Sequence, residues 1–222
     1  MPFRDRAEAG RQLAQSLQVY QAQAPIVLAL PRGGVPVAAE VARALKAPLD
    51  LVLARKIGVP HHPELAMGAV ADGVDPQVVR NENVIAAAGV SDAVFASICG
   101  QELAEIRRRR RRYVGERPHP DLKGCVVIVV DDGIATGATT RAALRSVRKQ
   151  KPRELILAVP VAPSISLKDL RGEADRILCL EDYENFGAVG FYYSDFRQVG
   201  DEEVRQMLAE QQASDPACAL QH

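Results

Sequence analysis

The apolar residues of the chain fall into short continuous runs, with segments of helical periodicity between them. Runs rich in Val, Ile and Leu are typical of strands buried on both faces. Five such runs are present, at 25–30, 48–58, 124–130, 154–162 and 174–181. Apolar residues at three- and four-residue spacing predict helices near 4–22, 35–46, 91–114, 138–150 and 164–172.

This alternation predicts an α/β fold with a doubly wound, mainly parallel five-stranded sheet covered by helices on both faces. Ligands of such sheets bind outside the carboxyl ends of the strands. Four segments at predicted strand ends are rich in glycine or charge: Pro31–Gly34, Arg55–Lys56, Asp131–Thr139 and the segment from Glu181 onward. We therefore expect the functional site at this edge.

Two regions interrupt the alternation. Residues 57–83 combine Pro, His and Gly with short strand-like pieces, which predicts a hairpin or a mobile loop. Residues 181–200 bring aromatic side chains near two glycines and predict an ordered loop rather than a strand. We expect one domain over residues 1–212 and a frayed tail at 213–222.

Composition narrows the class of protein. Apolar residues make up 47% and charged residues 25% of the 222 residues, as in ordinary globular proteins. Lys plus Arg and Asp plus Glu number 28 each, so the overall charge gives no attraction to nucleic acid or to a membrane surface. The four cysteines lack the spacing of a zinc site or a disulfide framework. Since the sequence shows no signal peptide or membrane span, we expect a cytoplasmic protein.

The segment VVIVVDDGIATGATT, at 126–140, carries the clearest chemistry. A buried strand ends at two carboxylates, Asp131 and Asp132, and a glycine-containing turn then opens a helix. Backbone N–H groups at the start of a helix bind phosphate, and the hydroxyls of Thr136, Thr139 and Thr140 add donors. Adjacent carboxylates accept hydrogen bonds from vicinal ribose hydroxyls. The segment therefore predicts a site for a sugar phosphate.

Two other interpretations of this segment fit it less well. One is that Asp131 and Asp132 serve merely as caps of the following helix, but capping needs neither two carboxylates nor the threonines. Other phosphate motifs do not fit, since the sequence has no GxGxxG, no GxxxxGK[ST] and no DxDxT.

The same segment resembles the signature of the type I phosphoribosyltransferases. LPRGG at 30–34 is similar to the pyrophosphate loop of that family, and ARK at 54–56 is similar to its basic pair at a strand end. With ENFGAVGFYYSDF near the end, the resemblance covers roughly residues 26–200. It looks closest to a subfamily of predicted phosphoribosyltransferases without an assigned acceptor.

The resemblance implies roles for individual residues. Asp131 and Asp132 would hold the ribose hydroxyls of phosphoribosyl pyrophosphate, and Arg32 would meet the pyrophosphate after a cis Pro31–Arg32 peptide. Arg55 and Lys56 would bring positive charge to the same leaving group, with Lys56 as a candidate catalytic residue. The implied substrate-binding residues are Arg32, Gly33, Gly34, Arg55, Lys56, Asp131, Asp132, Gly133, Ala135, Thr136, Gly137, Ala138 and Thr139. Solvated charges at Arg55 and Lys56, and an ordinary turn at 31–34, are the alternatives.

One position departs from a branch of the family. The 6-oxopurine enzymes have an Asp before the Thr-Gly pair, whereas this chain has Ala135, which weakens a hypoxanthine-guanine assignment. A general acid or base must then come from elsewhere, and Glu64 is the candidate, with a surface salt bridge as its alternative. His61 and His62 do not have metal-ligand spacing.

The implied reaction is displacement at the anomeric carbon of the sugar, with pyrophosphate leaving as its Mg²⁺ complex. Residues 57–83 would close over the site, and residues 181–197 would form a hood over a small-molecule acceptor, expected to be a nucleobase. Five aromatic residues there could stack on a heterocycle or belong to the core: Tyr183, Phe186, Phe191, Tyr192 and Tyr193. By resemblance we expect a homodimer and Mg²⁺ as the cofactor, and the sequence does not identify which residues bind the metal.

Six consecutive arginines at 107–112 suggest RNA binding, but on a helix they point in all directions. The preceding ELAEI offers acidic partners at helical spacing, so we expect an ion-paired surface and no nucleic-acid partner. Two other functions remain open. One is a non-catalytic regulator that senses nucleotides or phosphoribosyl pyrophosphate and touches RNA, and the other is a hydrolase or phosphorylase of sugar phosphates.

Overall fold

The computed structural model describes residues 2–73 and 75–213. Eight strands are present in this part of the chain: β1 Ile26–Ala29, β2 Leu49–Leu51, β3 Ala54–Val59, β4 His62–Ala71, β5 Gln77–Arg80, β6 Val126–Val130, β7 Glu154–Pro163 and β8 Arg176–Tyr183. The α-helices are α1 Arg6–Leu17, α2 Gly34–Leu45, α3 Glu82–Ala87, α4 Asp92–Val114, α5 Ala138–Lys149, α6 Ser164–Leu170 and α7 Asp201–Ala213. The tail expected at 213–222 lies, apart from Ala213, outside the described residues.

Five parallel strands form the main sheet in the order β2-β1-β6-β7-β8. Strand β6 lies at its centre, and its side chains alternate between two cores. Ile128 faces a core that includes residues of α1, α2, α4 and α7, whereas Val127 and Val129 face a core that includes residues of α5 and α6. The predicted doubly wound sheet with helices on both faces is therefore confirmed.

The register of β1 and β6 places two loops side by side. Ala29 pairs with Val130, and the Leu30 N–H donates to the Val130 carbonyl at 2.9 Å. Both strands end at this level, so the loop at 31–34 begins beside Asp131. Parallel strands in register are what bring these two segments, about a hundred residues apart, to one edge.

The apolar run at 48–58 forms two strands, not the single strand that we expected. β2 ends at Leu51, and β3 begins at Ala54 in a second, antiparallel sheet of order β3-β4-β5. Asp72 marks the point of departure, because its carboxylate accepts from the Leu53 N–H at 2.8 Å while its own N–H donates to the Leu53 carbonyl at 2.9 Å. Of the two possibilities for residues 57–83, the hairpin is the one observed.

Strand β8 continues to Tyr183, so the expected loop at 181–200 begins two to three residues later than the sequence indicated. A short 3-10 helix at Val189–Tyr192 follows within it. Among the described residues, no helix has both the length and the apolar character needed to cross a membrane.

Asp72 is a buried carboxyl group with incomplete hydrogen bonding. Its Oδ2 atom has no hydrogen-bond partner within the described structure, and a water-sized cavity beside it is lined by His119 and Gln150. Burial raises the pKa of Asp72 from 3.8 to about 6, although the Leu53 N–H and the charge of Arg110 act in the opposite direction. The folded state thus favours the protonated form of this group.

We predict that Asp72→Asn stabilises the protein at neutral pH. The pKa of Asp72 is higher in the folded than in the unfolded state, so its ionisation costs nothing below about pH 4 and destabilises the fold as pH rises through 6. The variant should gain on the order of 3 kcal/mol in unfolding free energy at pH 7, and little at pH 4.

Urea denaturation at both pH values measures this difference. Asp75→Asn is the control, because Asp75 lies on the same loop but is exposed and paired with Lys149 at 2.8 Å. Equal stability of the Asp72→Asn variant and the unmodified chain at pH 7 would show that Asp72 carries no such cost.

Candidate functional site

Two carboxylates at the end of β6 lie directly against two glycines that follow β1. A Cβ atom at Gly33 would overlap with Oδ2 of Asp132 and lie 2.5 Å from its Cγ. A Cβ at Gly34 would lie 2.8 Å from the Val130 carbonyl oxygen and 2.9 Å from the Asp131 Cα. Only glycine permits this approach. The glycine pair is thus explained by packing against the carboxylates as well as by any ligand.

The loop at 31–34 has the backbone that the sequence resemblance implied, since the Pro31–Arg32 peptide is cis. The Arg32 side chain is half-buried and pairs with Asp201, at the start of α7, at 3.4 Å. Arg112 also pairs with Asp201, at 2.9 Å, and the hydroxyl of Tyr113 donates to it at 2.8 Å. Arg32 therefore stands at the site with its charge already matched.

The two carboxyl groups have different surroundings. Asp132 is buried, and its Oδ2 accepts from Nε of Arg6 at 2.7 Å. Burial raises the pKa of Asp132, and the Arg6 charge partly reverses that rise. For Asp131, burial and then the neighbouring Asp132 charge hold the pKa well above its usual range. One negative charge, centred on Asp132, is therefore compensated, and a second beside it is disfavoured.

The turn after these carboxylates presents an open helix start. Gly137 is the N-cap of α5 at φ +74°, and it has no side chain with which to cap the helix. The first turn contains no acidic residue, so its N–H groups and the positive end of the helix dipole favour an anion. Thr136 is exposed and Thr139 is half-exposed beside this helix start.

Three contacts hold the same turn in place. The Ser166 hydroxyl donates to the Ala135 carbonyl at 2.7 Å, and the Ile134 N–H donates to the Val161 carbonyl at 3.0 Å. Gly133 lies against Val189, because a Cβ there would be 2.5 Å from a Val189 methyl carbon. Gly133 thus lets the segment at 181–197 approach the carboxylates.

Arg55 and Lys56 project from opposite faces of β3, as successive strand residues do. The Arg55 guanidinium pairs with Glu102 on α4 in a short contact. Lys56 pairs with Glu64 of the adjacent strand at 3.1 Å, and the Glu64 side chain is 97% exposed. The sequence treated Arg55 and Lys56 as one basic pair, but the two side chains have different partners. Lys56 pairs with Glu64, another predicted site residue, whereas Arg55 pairs with Glu102, which was not predicted.

Lys56 and Glu64 line a cavity of about 790 Å³ between the hairpin and the helix start of α5. Its other polar lining residues include Arg80, Asn81, Asn83, Thr136 and Arg141. Ala135 and Ala138 also border it. A volume of this size is within the range of small-molecule sites. The hairpin therefore covers the predicted phosphate loop from one side.

The aromatic residues at 181–197 are mostly stacked on one another. Tyr192 stacks on Tyr183 and Phe186 with ring centroids 4.5 and 4.9 Å apart. Tyr193 is buried, and its hydroxyl donates to the Asp132 carbonyl at 2.6 Å. Phe191 differs, because its side chain is 77% exposed. Of the five candidates, Phe191 is thus the one whose ring is most open to solvent.

The arginine run is partly paired and partly buried. Glu105 binds both Arg108 and Arg109 at 2.7 Å, as the helical spacing predicted. Arg110 is buried and pairs with Asp50 at 3.3 Å, which the sequence did not reveal because Asp50 lies in β2. The run thus faces several neighbours, consistent with an ion-paired helix and not with a single basic stripe.

Sequence reasoning missed Arg6. None of the predicted site residues lies in the first helix, yet Arg6 of that helix contacts one of the two central carboxylates, Asp132. A signal was present, since Arg6 lies at helical spacing from Leu13 and Leu17 and therefore on the apolar face of α1. A charged residue on such a face needs a buried partner.

Metal ligands are few at this site. Across residues 2–73 and 75–213, no group of three or more His, Cys, Asp or Glu side chains is arranged to hold a metal ion. A divalent cation that arrives already bound to a ligand's phosphates would need fewer protein ligands.

Comparison with known proteins agrees with this geometry. Residues 5–196 match the phosphoribosyl transferase domain. A Mycobacterium tuberculosis protein that is provisionally named a phosphoribosyl transferase is 44% identical over 202 residues, covering 91% of this chain and 45% of the relative. The chain thus spans about half the length of that relative.

A solved structure is similar to this chain over nearly its whole length. The Thermus thermophilus protein TT1426 is 42% identical, with a TM-score of 0.80, and the similarity covers 95% of this chain and 99% of that chain. The family match spans most of the sequence and includes every predicted site residue. The chain belongs to the phosphoribosyl transferase domain family.

Proposed function

We propose that this chain transfers the 5-phosphoribosyl group of phosphoribosyl pyrophosphate to a nitrogenous acceptor and releases pyrophosphate. The observation that supports this most directly is the joint position of the Asp131–Asp132 pair and the open start of α5. A carboxylate accepts hydrogen bonds from hydroxyl groups, and the N–H groups at the start of a helix donate hydrogen bonds to a phosphate. The two together match a sugar that carries a 5-phosphate.

Each part of the substrate then has a proposed contact. The 5-phosphate binds at Thr136–Thr139, and the ribose hydroxyls bind at Asp131 and Asp132. The pyrophosphate binds at Arg32 with the Gly33 and Gly34 backbone, and Lys56 reaches it from the hairpin. Mg²⁺ belongs to the substrate as its pyrophosphate complex and neutralises charge on the leaving group.

The reaction breaks the bond between C1 of the ribose and a pyrophosphate oxygen and forms a bond between C1 and a nitrogen of the acceptor. The protein holds the two reactants in line and supplies positive charge where the leaving group becomes more negative. The hairpin of β3 and β4 borders the cavity, and its proposed role is to exclude water, which would otherwise hydrolyse the activated sugar. A nucleobase is the acceptor class that we favour, with exposed Phe191 as its stacking surface.

Pyrophosphate release from Mg²⁺-phosphoribosyl pyrophosphate tests the proposed reaction. The assay is run with purine, pyrimidine and small amine acceptors. Acceptor-dependent release supports the transferase. Tight binding of phosphoribosyl pyrophosphate with no release for any acceptor would instead indicate a non-catalytic regulator.

Asp132→Asn should weaken binding of phosphoribosyl pyrophosphate. The variant loses a charge-assisted hydrogen bond to the ribose, which corresponds to roughly a tenfold to hundredfold loss of affinity. Calorimetric titration measures this, and thermal unfolding checks that the variant is folded. Asp121→Asn is the control, because Asp121 is an exposed acid that precedes the amino end of β6. Unchanged affinity of the Asp132 variant would remove the ribose assignment.

Gly33→Ala should reduce the same affinity although it changes no charge. The added methyl group overlaps with the Asp132 carboxylate and must displace it. We expect a loss of at least about tenfold, since the displaced group no longer meets its ribose partner. Gly100→Ala in α4 is the matched control, because a Cβ there meets nothing within 4 Å. Retention of full affinity in the Gly33 variant would contradict the placement of the substrate.

Glu64→Gln distinguishes a general base from a surface ion pair. If Glu64 accepts the proton of the acceptor, kcat should fall by about 10²–10⁴-fold with little change in KM for phosphoribosyl pyrophosphate. Glu116→Gln is a control, because Glu116 is an exposed acid that pairs with Arg111 at 3.5 Å. An unchanged kcat in the Glu64 variant would leave Glu64 as a partner of Lys56 alone.

A further inference from the structure

Arg6 is the only basic side chain among the described residues that forms an ion pair with either central carboxylate. Its Nε donates to Asp132 Oδ2 at 2.7 Å, and its terminal nitrogen donates to the Arg197 carbonyl at 2.8 Å. The ring centroid of Phe196 lies 3.9 Å from the guanidinium carbon. The Arg6 side chain is 10% exposed. The Arg6 guanidinium is therefore buried and held by three contacts: a carboxylate, a backbone carbonyl and the face of an aromatic ring.

The chain just before Arg6 is bound to the hood. The Phe3 N–H donates to the Tyr192 carbonyl at 2.8 Å, and the Ser194 N–H donates back to the Phe3 carbonyl at 2.8 Å. Tyr193 packs its ring 5.5 Å from that of Phe3 and donates its hydroxyl to the Asp132 carbonyl. The first helix, the hood and Asp132 thus form one connected unit.

We propose that Arg6 is a positioning residue for the reaction: it holds Asp132 ionised and fixes the orientation of its carboxylate for the ribose. This inference rests on the proposed function, because it requires Asp132 to bind the sugar. It assigns to the amino-terminal helix a role in substrate recognition that is separate from its packing on α2.

The charges around Asp132 explain why such a residue is needed. The groups that face it are Asp131 on the same strand end, Arg6 on α1 and the Tyr193 hydroxyl of the hood. Burial raises the pKa of Asp132 and so opposes its ionisation, whereas Arg6, the one cation among these groups, lowers it, and a hydrogen bond with the Asp131 carboxyl group acts in the same direction as Arg6. Without Arg6, Asp132 would bind its proton more tightly. As pH falls, the carboxylate would then become protonated, and stop accepting hydrogen bonds from two ribose hydroxyls, at a higher pH than in the unmodified chain.

A purely structural role for the pair makes a different prediction. If the ion pair only docks α1 on the sheet, a neutral residue at position 6 lowers stability, and substrate affinity changes by the same factor at every pH. If Arg6 sets the charge of Asp132, the pH dependence of affinity itself moves. The shape of the pH profile therefore separates the two roles.

The test measures the affinity for Mg²⁺-phosphoribosyl pyrophosphate by calorimetry between about pH 5.5 and about pH 9, a range that extends to both sides of neutral pH. The variants are Arg6→Gln, which keeps a donor without charge, and Arg6→Lys, which keeps the charge. Arg6→Gln should bind about tenfold more weakly at pH 7 and recover affinity as pH rises. Arg6→Lys should keep a profile close to that of the unmodified chain.

Two further variants complete the design. Arg11→Gln on the same helix is the control. The Arg11 side chain is 48% exposed and pairs with Glu40 at 3.7 Å instead of with Asp131 or Asp132. Phe196→Leu removes the ring beneath the guanidinium without touching either charge, and it should shift the profile in the same direction by less. This variant gives the test an answer even if Arg6→Gln does not fold.

The outcomes are distinct from those of the proposed function. If the unmodified chain does not bind phosphoribosyl pyrophosphate, the proposed function fails. If it binds, but Arg6→Gln and Phe196→Leu keep the unmodified pH profile, the role of Arg6 is overturned and the function stands. In the Asp132→Asn background, Arg6→Gln should cause no further loss of affinity, whereas an additive loss would also contradict the proposal.

Discussion

The site depends on two adjacent carboxyl groups at the end of a central strand, of which Asp132 is buried and Asp131 is half-buried. Asp131 and Asp132 leave β6 in an environment that disfavours charge on both. One cation, Arg6, forms an ion pair with one of the two carboxylates, Asp132, and partly compensates its charge. Removal of a partner from such a pair is costly because it leaves an isolated buried charge. The position of the first helix, the glycines at 33–34 and the hood all follow from the need to enclose this pair.

The sequence was informative where chemistry and local structure coincide. The strand, the two acids and the glycine turn of 126–140 are contiguous, so a single segment predicted both the central strand of the sheet and the location of the proposed phosphate site. The five-stranded sheet was predictable for a similar reason, since each strand lies largely within one of the five short segments rich in apolar residues. The cis peptide was foreseen only through family resemblance, because no local pattern in LPRGG requires it.

The features that sequence could not supply depend on distant partners. The run at 48–58 is apolar across Val52 and Leu53, and its division into two sheets depends on Asp72, 19 residues away from Leu53. Arg6 contacts Asp132, a residue 126 positions later in the sequence. Arg55 and Lys56 are adjacent in sequence but turn to different neighbours because strand side chains alternate. Local periodicity contains none of these pairings.

The cations of the proposed pyrophosphate site show how ligand binding would proceed. Arg32 and Lys56 each have a carboxylate partner within the chain, Asp201 and Glu64 respectively. A pyrophosphate must therefore exchange with these carboxylates instead of meeting free charge. For Lys56 the exchange has a chemical consequence, because it releases Glu64 from its ion pair. In the proposed reaction, Glu64 is released from its cationic partner only after Lys56 has engaged the leaving group. Such an order would protect the activated sugar until both reactants are bound.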